Sequence, residues 1–548
     1  AMSFSIVQRR ALFGRLRVLG VTQSQLYRLV LAEATLLGVI GGLIGAVLGI
    51  WLGRALTAIV AATVNELYYQ VSADAMQVDI LALGGAMLLG IGGSVLASWV
   101  PAAQAARCAP LSTLSRAAFE HSSRRGVPRA AAIGAVLVLP GMAIASFLPG
   151  GVISAFAGLF VMLLGCALMT PLGLPLMQRF LSSLPFSGIW RMAARDLDRH
   201  LSRLATAVAA LMVALSATVG VGIMVESMRG SVSDWLQQLL NADVYIASEG
   251  YDQGALLDAR HVRAVQQVPA LRALSQYRNQ TLSLGGRPIR MVAAQLSPES
   301  RAGYQLLDRD TVAAWTKYDA GGILITEPLA NRLNLEQGKI LSLPTPAGAV
   351  DFEIAGVLRD FSSEHGRLYI DLTKYREYWQ DTQINTLALF SSHGDSLKLM
   401  RDSRSFLAAY DELAFTPAGE IYDESMQIFE RTFHLTEVLR ILAVGVALIG
   451  IFSALMAVQL ERRKEFAVLR ALGLTRGQVS LLIIGESLLL GLVAALAAIP
   501  CGLLMAWVLT DVVQLRAFGW SLPFRIDPAV LGHTLLLGVL ASLLASLY

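Results

Sequence analysis

The chain has 548 residues, 55% of them hydrophobic and only 15% charged, with a formal net charge of +4. That balance, and a mean hydropathy of +0.57, exclude a soluble multidomain protein of this length and point to a bilayer. The three cysteines, Cys108, Cys166 and Cys501, lie in a loop and in two apolar runs, so no disulfide is expected.

The first element is a basic amphipathic stretch, QRRALFGRLRVLGVTQSQLYRLVLAEATLLG from Gln8, which runs directly into an apolar helix. It returns near the other end as ERRKEFAVLRALGLTRGQVSLLIIGESLLLG from Glu461. A constant offset of 453 superposes Arg17 on Arg470, Leu19 on Leu472, Gly20 on Gly473, Thr22 on Thr475, Gln25 on Gln478 and Glu33 on Glu486. Such a repeat is the form of a membrane protein built from two related halves.

Crossing a bilayer takes about 20 helical residues. Windows of that length are Leu29–Leu52, Ile80–Val100, Ala130–Leu148, Val152–Met177, Leu204–Met228, Leu435–Leu460, Val479–Leu509 and Pro528–Leu547. Arginine and lysine collect on one set of flanks: around Arg9 to Arg28, Arg107 to Arg129, Arg179 to Arg203 and Arg462 to Arg476. These faces are therefore cytoplasmic. The opposing short connections hold Arg54, then none in Phe147-Leu148-Pro149-Gly150-Gly151, then Arg516 and Arg525. The positive charge is thus topological, and no nucleic-acid partner is inferred.

Residues 1–116 read as a permease unit lacking its first span and outer domain, with Pro101 and Pro110 bracketing a short cytoplasmic helix. Residues 117–202 hold the linker EHSSRRGVPRA, a two-span hairpin that the repeat does not duplicate, and an inner-leaflet helix around Trp190, Ala194 and Leu197. Residues 203–228 form an outward span, 229–434 a folded outer domain, and 435–548 a second unit that looks cut at its end. On the symmetry argument, about 250 residues of the first half are expected upstream. In the outer domain, DVYIAS and GILIT read as strands, TLSLGGRPIRMVAAQL as a hairpin turning at Gly285-Gly286, and HVRAVQQV and EPLANRLNL as helices. EIYDESMQIFERTFHLTEVLRILAV has no Gly or Pro break and reads as a stalk entering the next span. The expected fold is a polytopic α-helical membrane protein with an internal repeat, plus an extracytoplasmic α/β domain on a β-rich platform.

Chemistry-bearing motifs are few. No GxxxxGK[ST] loop occurs, since Leu333 stands where the first glycine before Gly338-Lys339 would be. Seven scattered histidines, no HExxH and no paired CxxC give no support for a metal site. Asp360, Ser362, Ser363, Glu364 and His365 gather Ser, His and acids in what reads as a turn.

The motif R-R-x-x-F/E-x-x-x-L-R-x-L-G-x-T-x-x-Q, followed by a Glu-bearing apolar helix, resembles the permease domain of the FtsX/MacB/LolC type. Two copies separated by a hairpin resemble its ten-span members (YbbP-like). The resemblance implies a bacterial inner-membrane permease subunit that is not itself an enzyme. It implies a separate ABC ATPase in two copies, with ATP and Mg on that partner and no cofactor on this chain. Its ATPase-docking elements would be Arg17, Leu19, Gly20, Thr22 and Gln25, with Arg470, Leu472, Gly473, Thr475 and Gln478. Physically, Gly20 and Gly473 would end one helical turn and Thr22 and Thr475 cap the next. A capped turn with arginines on lipid phosphates is the plainer alternative. Glu33 and Glu486 are intramembrane acidic candidates, with an interfacial ion pair as the plainer reading. The cargo stays open between extraction of a lipid or lipoprotein, efflux of a drug or peptide, and signalling to a periplasmic hydrolase.

Overall fold

A computed structural model describes residues 13, 16, 18–67, 79–107, 116–182, 192, 193, 195, 201–249, 255–269, 271–363, 365–392, 395–430, 441, 445, 448, 449, 452 and 463–546. Arg17, Glu364, the exit after Arg107 and nearly all of the expected inner-leaflet helix and Leu435–Leu460 span lie outside the described residues.

Six described helices are long and apolar enough to cross a membrane, namely Gln23–Ala55, Ile80–Trp99, Val127–Phe147, Gly151–Phe180, Ala207–Leu239 and Arg476–Phe518. Pro528–Leu544 is a shorter apolar helix. Helix α1 (Gln23–Leu67) pairs with α2 (Ile80–Arg107), which continues through Pro101 instead of breaking there. The alanines around Pro101 favour helix strongly enough to absorb the lost backbone bond. Helix α3 (Arg116–Phe147) likewise absorbs the expected linker, with Pro128 and Pro140 inside it. It turns tightly into α4 (Gly151–Met169), and a 3₁₀ turn at Thr170–Leu172 leads into α5 (Gly173–Ser182).

Helix α6 (Leu201–Leu239) runs past the expected end at Met228 and becomes a stalk. Its extension buries Val232, Trp235 and Leu236, spaced three and four apart, against Tyr422 and Met426 of a second helical stretch over residues 418–430. That shared apolar stripe explains why the helix does not stop at the bilayer.

The outer domain is one nine-stranded sheet ordered β5-β6-β4-β7-β3-β2-β8-β1-β9. After β1 (Val244–Ser248) and α7 (Ala259–Val265), strands β2 (Leu271–Leu284) and β3 (Arg287–Gln295) form a hairpin. Its two-residue turn takes φ of +57° at Gly285 and +79° at Gly286, a conformation that favours glycine. Then come β4 (Ile323–Thr326), α8 (Glu327–Leu333), β5 (Ile340–Thr345), β6 (Gly348–Leu358), β7 (Arg367–Asp371), α9 (Leu372–Trp379), β8 (Thr386–Ser391) and β9 (Leu413–Pro417). Strand β4 is buried throughout because it lies between parallel β6 and antiparallel β7. Ile246, Met291, Ile323, Ile325, Ile354, Ile370, Leu387 and Leu389 form the core, each contributing roughly 1.5–3 kcal/mol by leaving water.

The second membrane unit comprises α10 (Arg463–Ala471), α11 (Arg476–Trp507), a π-helical turn at Val508–Val513, α12 (Gln514–Phe518) and α13 (Pro528–Ser546). Leu211, Met212 and Leu215 of α6 pack on Leu490, Val493, Ala494 and Ala498 of α11. One close approach is built twice. A Cβ at Gly38 would lie 3.1 Å from that of Ser94, and one at the equivalent Gly491 would meet Ser542 and lie 2.5 Å from the Gly538 carbonyl oxygen. Small residues let helix backbones approach in lipid, where packing drives association. The hairpin joins this second unit: Ala145, Ala155, Leu159 and Met162 pack on Met505, Val508, Leu509 and Val512.

Candidate functional site

On the cytoplasmic side, each repeat begins with the same turn. The Val21 N–H donates to the Leu16 carbonyl at 3.1 Å, and the Leu474 N–H to the Leu469 carbonyl at 3.1 Å. Gly20 and Gly473 make the reversal with φ of +96° and +104°, a left-handed conformation natural to glycine after a helix. The next helix is capped reciprocally. Thr22 N–H donates to Gln25 Oε1 at 3.0 Å and Gln25 N–H to Thr22 Oγ1 at 3.3 Å. In the second copy the corresponding distances for Thr475 and Gln478 are 2.9 and 3.3 Å. This capping box satisfies amides that a helix start otherwise leaves unpaired. It also projects one leucine from each turn: Leu19 is 81% exposed and Leu472 is 75% exposed. Arg470 is exposed beside Leu472. Beneath the first turn, Phe13, Leu26, Val30 and Ala102 form a small buried cluster that anchors it. Glu33 and Glu486 are half-buried within α1 and α11.

The loop after β6 is a turn whose groups are consumed locally. Asp360 is buried and accepts from Ser362 N–H at 2.7 Å and from Tyr369 hydroxyl at 3.0 Å, while Ser363 Oγ accepts from His365 N–H at 3.2 Å. Burial, and then the Asp360 carboxylate, pushes the Tyr369 hydroxyl well above its ordinary range.

On the outer side, the connection between α12 and α13 grips the outer domain. Gly519 turns at φ +82°, and a Cβ there would lie 3.0 Å from Pro328 Cα of α8. Asn331 Nδ2 donates to the Gly519 carbonyl at 2.6 Å, and Ser521 N–H donates to Glu327 Oε2 at 3.0 Å. Trp520 stacks on Phe518 with centroids 5.3 Å apart and meets Phe361 edge-on at 5.7 Å; Phe361 in turn meets Trp235 of α6 at 6.0 Å. Arg525 donates to Asp234 of α6 at 2.6 Å, and Ser233 lies 2.7 Å from the Tyr422 hydroxyl. Arg229 pairs with Glu430 across the two stalks. The domain, both stalks and the outer connection thus form one continuous joint. Trp520 Nε1 at this joint, with Thr510 Oγ1 in the π-helical turn and Gln514 Oε1 just after it, is buried without a hydrogen-bond partner among the described residues, each at a cost of about 1–3 kcal/mol.

Arg516 fixes the hairpin to this joint. Its guanidinium donates to the Ser146 carbonyl at 2.8 Å, the Gly151 carbonyl at 3.1 Å and Ser154 Oγ at 2.9 Å. Sequence reasoning missed Glu327, Asn331, Arg516, Trp520 and Arg525 as working residues. The available signal was the placement of Arg516 and Arg525 in the short outer connections, which are otherwise poor in cations.

Repeated membrane units around an outer α/β domain define a class, and the comparisons name it. Residues 1–110 and 438–548 match the FtsX-like permease C-terminal family, and residues 204–403 match the MacB-like periplasmic core domain. The uncharacterized ABC transporter permease protein Rv0987 of Mycobacterium tuberculosis is 34% identical over 571 residues, a match covering 100% of this chain and 65% of that relative. The chain therefore spans about two thirds of the relative's length. Among solved structures, the extracellular domain of the noncanonic ABC-type transporter YknZ from Gram-positive bacteria matches 32% of this chain and 98% of its own, with 11% identity and a TM-score of 0.24. The chain belongs to the FtsX/MacB type of ABC transporter permeases: a multi-pass membrane protein with a periplasmic-core-type outer domain.

Proposed function

We propose that this chain is the inner-membrane subunit through which a separate ABC ATPase, bound in two copies, moves the outer domain to extract or export a lipid, lipoprotein or amphipathic molecule. ATP and Mg would reside on the partner. The observation that carries the reading is the duplicated capped turn, which holds Leu19 and Leu472 exposed on rigid supports at equivalent positions. Burying such a leucine at an interface contributes roughly 1.5–3 kcal/mol, and a preorganised turn lowers the entropic cost of docking. The joint of α8, the stalks and the outer connection supports the other end of the reading, since a tilt of α6 or α11 would be passed to the sheet through Asn331, Glu327 and Trp520.

The test is ATPase activity of the partner in proteoliposomes with the intact permease, compared with a Leu19→Asp/Leu472→Asp variant. Stimulation should fall by about tenfold or more, since each lost leucine contact exceeds the 1.4 kcal/mol that equals a factor of ten. Unchanged stimulation and unchanged co-purification would overturn the docking assignment.

A further inference from the structure

The outer end of α11 departs from its counterpart in the first repeat. The offset of 453 places Val508–Val513 on residues 55–60, which lie inside the uninterrupted helix α1. In α1, Thr57 Oγ1 donates to the Gly53 carbonyl at 2.8 Å, the ordinary bond of a helical threonine to the residue four before it. In the second copy the same stretch is a π-helical turn, in which the Gln514 N–H donates to the Leu509 carbonyl five residues back. Thr510, the equivalent of Thr57, is fully buried, and its Oγ1 has no partner among the described residues. Gln514 is nearly as deep, with Oε1 unpartnered and Nε2 on the sulfur of Met228 at 3.9 Å. Single π-turns inside α-helices are rare and gather at functional sites.

Two sets of forces act on this turn in opposite senses. The α register would restore regular backbone bonds and give Thr510 the bond that Thr57 has. The π register is held from outside. Val508, Leu509, Val512 and Val513 are buried with Ala155, Leu159 and Met162 of the hairpin, and the Arg516 guanidinium, just beyond the turn, reaches the Ser146 and Gly151 carbonyls and Ser154 Oγ. Closing the π turn into an α-helix would rotate the chain after it by one residue's worth, about 100° at 3.6 residues per turn. Arg516 would then leave its acceptors on the hairpin. Among the described residues, only the copy that carries the hairpin has the π turn at this position.

We propose that Val508–Val513 is a two-register switch: the Arg516 clamp on the hairpin tip holds it in the π register, and opening of the clamp lets it close into the continuous helix that α1 already shows. In the first register the hairpin and the outer connection move as one body, and in the second they part. The switch goes beyond the docking at the cytoplasmic turns and is read without ATP or a partner, so the two proposals fail separately.

The experiment reads the distance between the hairpin and α12. The intact chain, with Cys108, Cys166 and Cys501 replaced by alanine, carries spin labels at Phe160→Cys on α4 and Ala517→Cys on α12, both exposed positions, and is reconstituted in nanodiscs for pulsed electron resonance. The parent should give one dominant distance. Arg516→Gln should raise the share of a second, shifted distance at least about fivefold, the equivalent of one net hydrogen bond or more. Ser154→Ala, which removes one acceptor from the hairpin, should raise the same distance by less. Adding Thr510→Val to Arg516→Gln should lower that share by about fivefold, because the α register then loses its extra bond. Thr510→Ser, which keeps the hydroxyl, should leave it high. No second distance in either clamp variant overturns the second register. A second distance that ignores Thr510→Val overturns the closing of the turn and leaves only a loosened hairpin.

Discussion

Asp381 shows how one side chain can hold distant segments of the outer domain together. Its carboxylate accepts from Arg278 Nε at 2.7 Å, from Gln383 N–H at 2.9 Å and from the Tyr375 hydroxyl at 2.9 Å. Burial opposes the charge, but these bonds outweigh it and hold the carboxyl below its ordinary range; the same burial and the Asp381 carboxylate push the Tyr375 hydroxyl up to about 12. A depressed folded pKa stabilises above the unfolded value, and that contribution is lost as pH falls through the folded one. Asp381→Asn should therefore cost about 1–3 kcal/mol at neutral pH, seen as a lower unfolding midpoint of the outer domain. The gap from the parent should close below roughly pH 3.9, the ordinary Asp value. At the cytoplasmic turns, Thr22→Ala with Thr475→Ala should cost about 1 kcal/mol per cap. Partner ATPase stimulation should fall while the membrane helices retain their circular dichroism. These caps were legible in the sequence because Thr and Gln three residues apart form a local device that needs no tertiary information.

Among elements, legibility follows range in the same way. The β2–β3 hairpin could be read from Gly285-Gly286, whose turn conformation is nearly specified by residue type. The extension of α6 could not, because Val232, Trp235 and Leu236 become a core only once residues 418–430 lie beside them. Nor could the outer joint, whose two hydrogen bonds to α8 link residues separated by 188 and 194 positions. EHSSRRGVPRA looked like a linker because its Ser, Gly and Pro are helix breakers on a local scale, yet α3 carries it. The joint makes a specific prediction. Asn331→Ala combined with Glu327→Ala removes both polar links, and should reduce ATP-dependent movement of the outer domain relative to α13, measured by pulsed electron resonance between spin labels, while ATP turnover continues. Full movement in the variant would show that the stalks alone transmit.

For the whole molecule, the repeat made the membrane architecture readable, since residues 453 positions apart repeat the turn chemistry and the Gly38–Ser94 approach returns as Gly491–Ser542. It left the allegiance of the hairpin open, because that depends on the complementarity of Ala145, Leu159 and Met162 with the π-turn region. The docking proposed at the two capped turns predicts two ATPase copies per permease chain by native mass spectrometry. Charge reversal at Arg17 together with Arg470 should abolish stimulation, whereas single reversals should leave part of it.

The pinning of the hairpin by Arg516 carries a consequence for how a machine with two similar motors would run. Equal strokes arriving at the two cytoplasmic turns would meet unequal loads, because among the described residues it is the second unit that carries a hairpin fastened at its tip. The output would then be a rotation about an off-centre fulcrum rather than a symmetric squeeze. Duplication within one polypeptide makes such a lever possible, because each half can diverge under its own load, a freedom that a dimer of identical chains does not have.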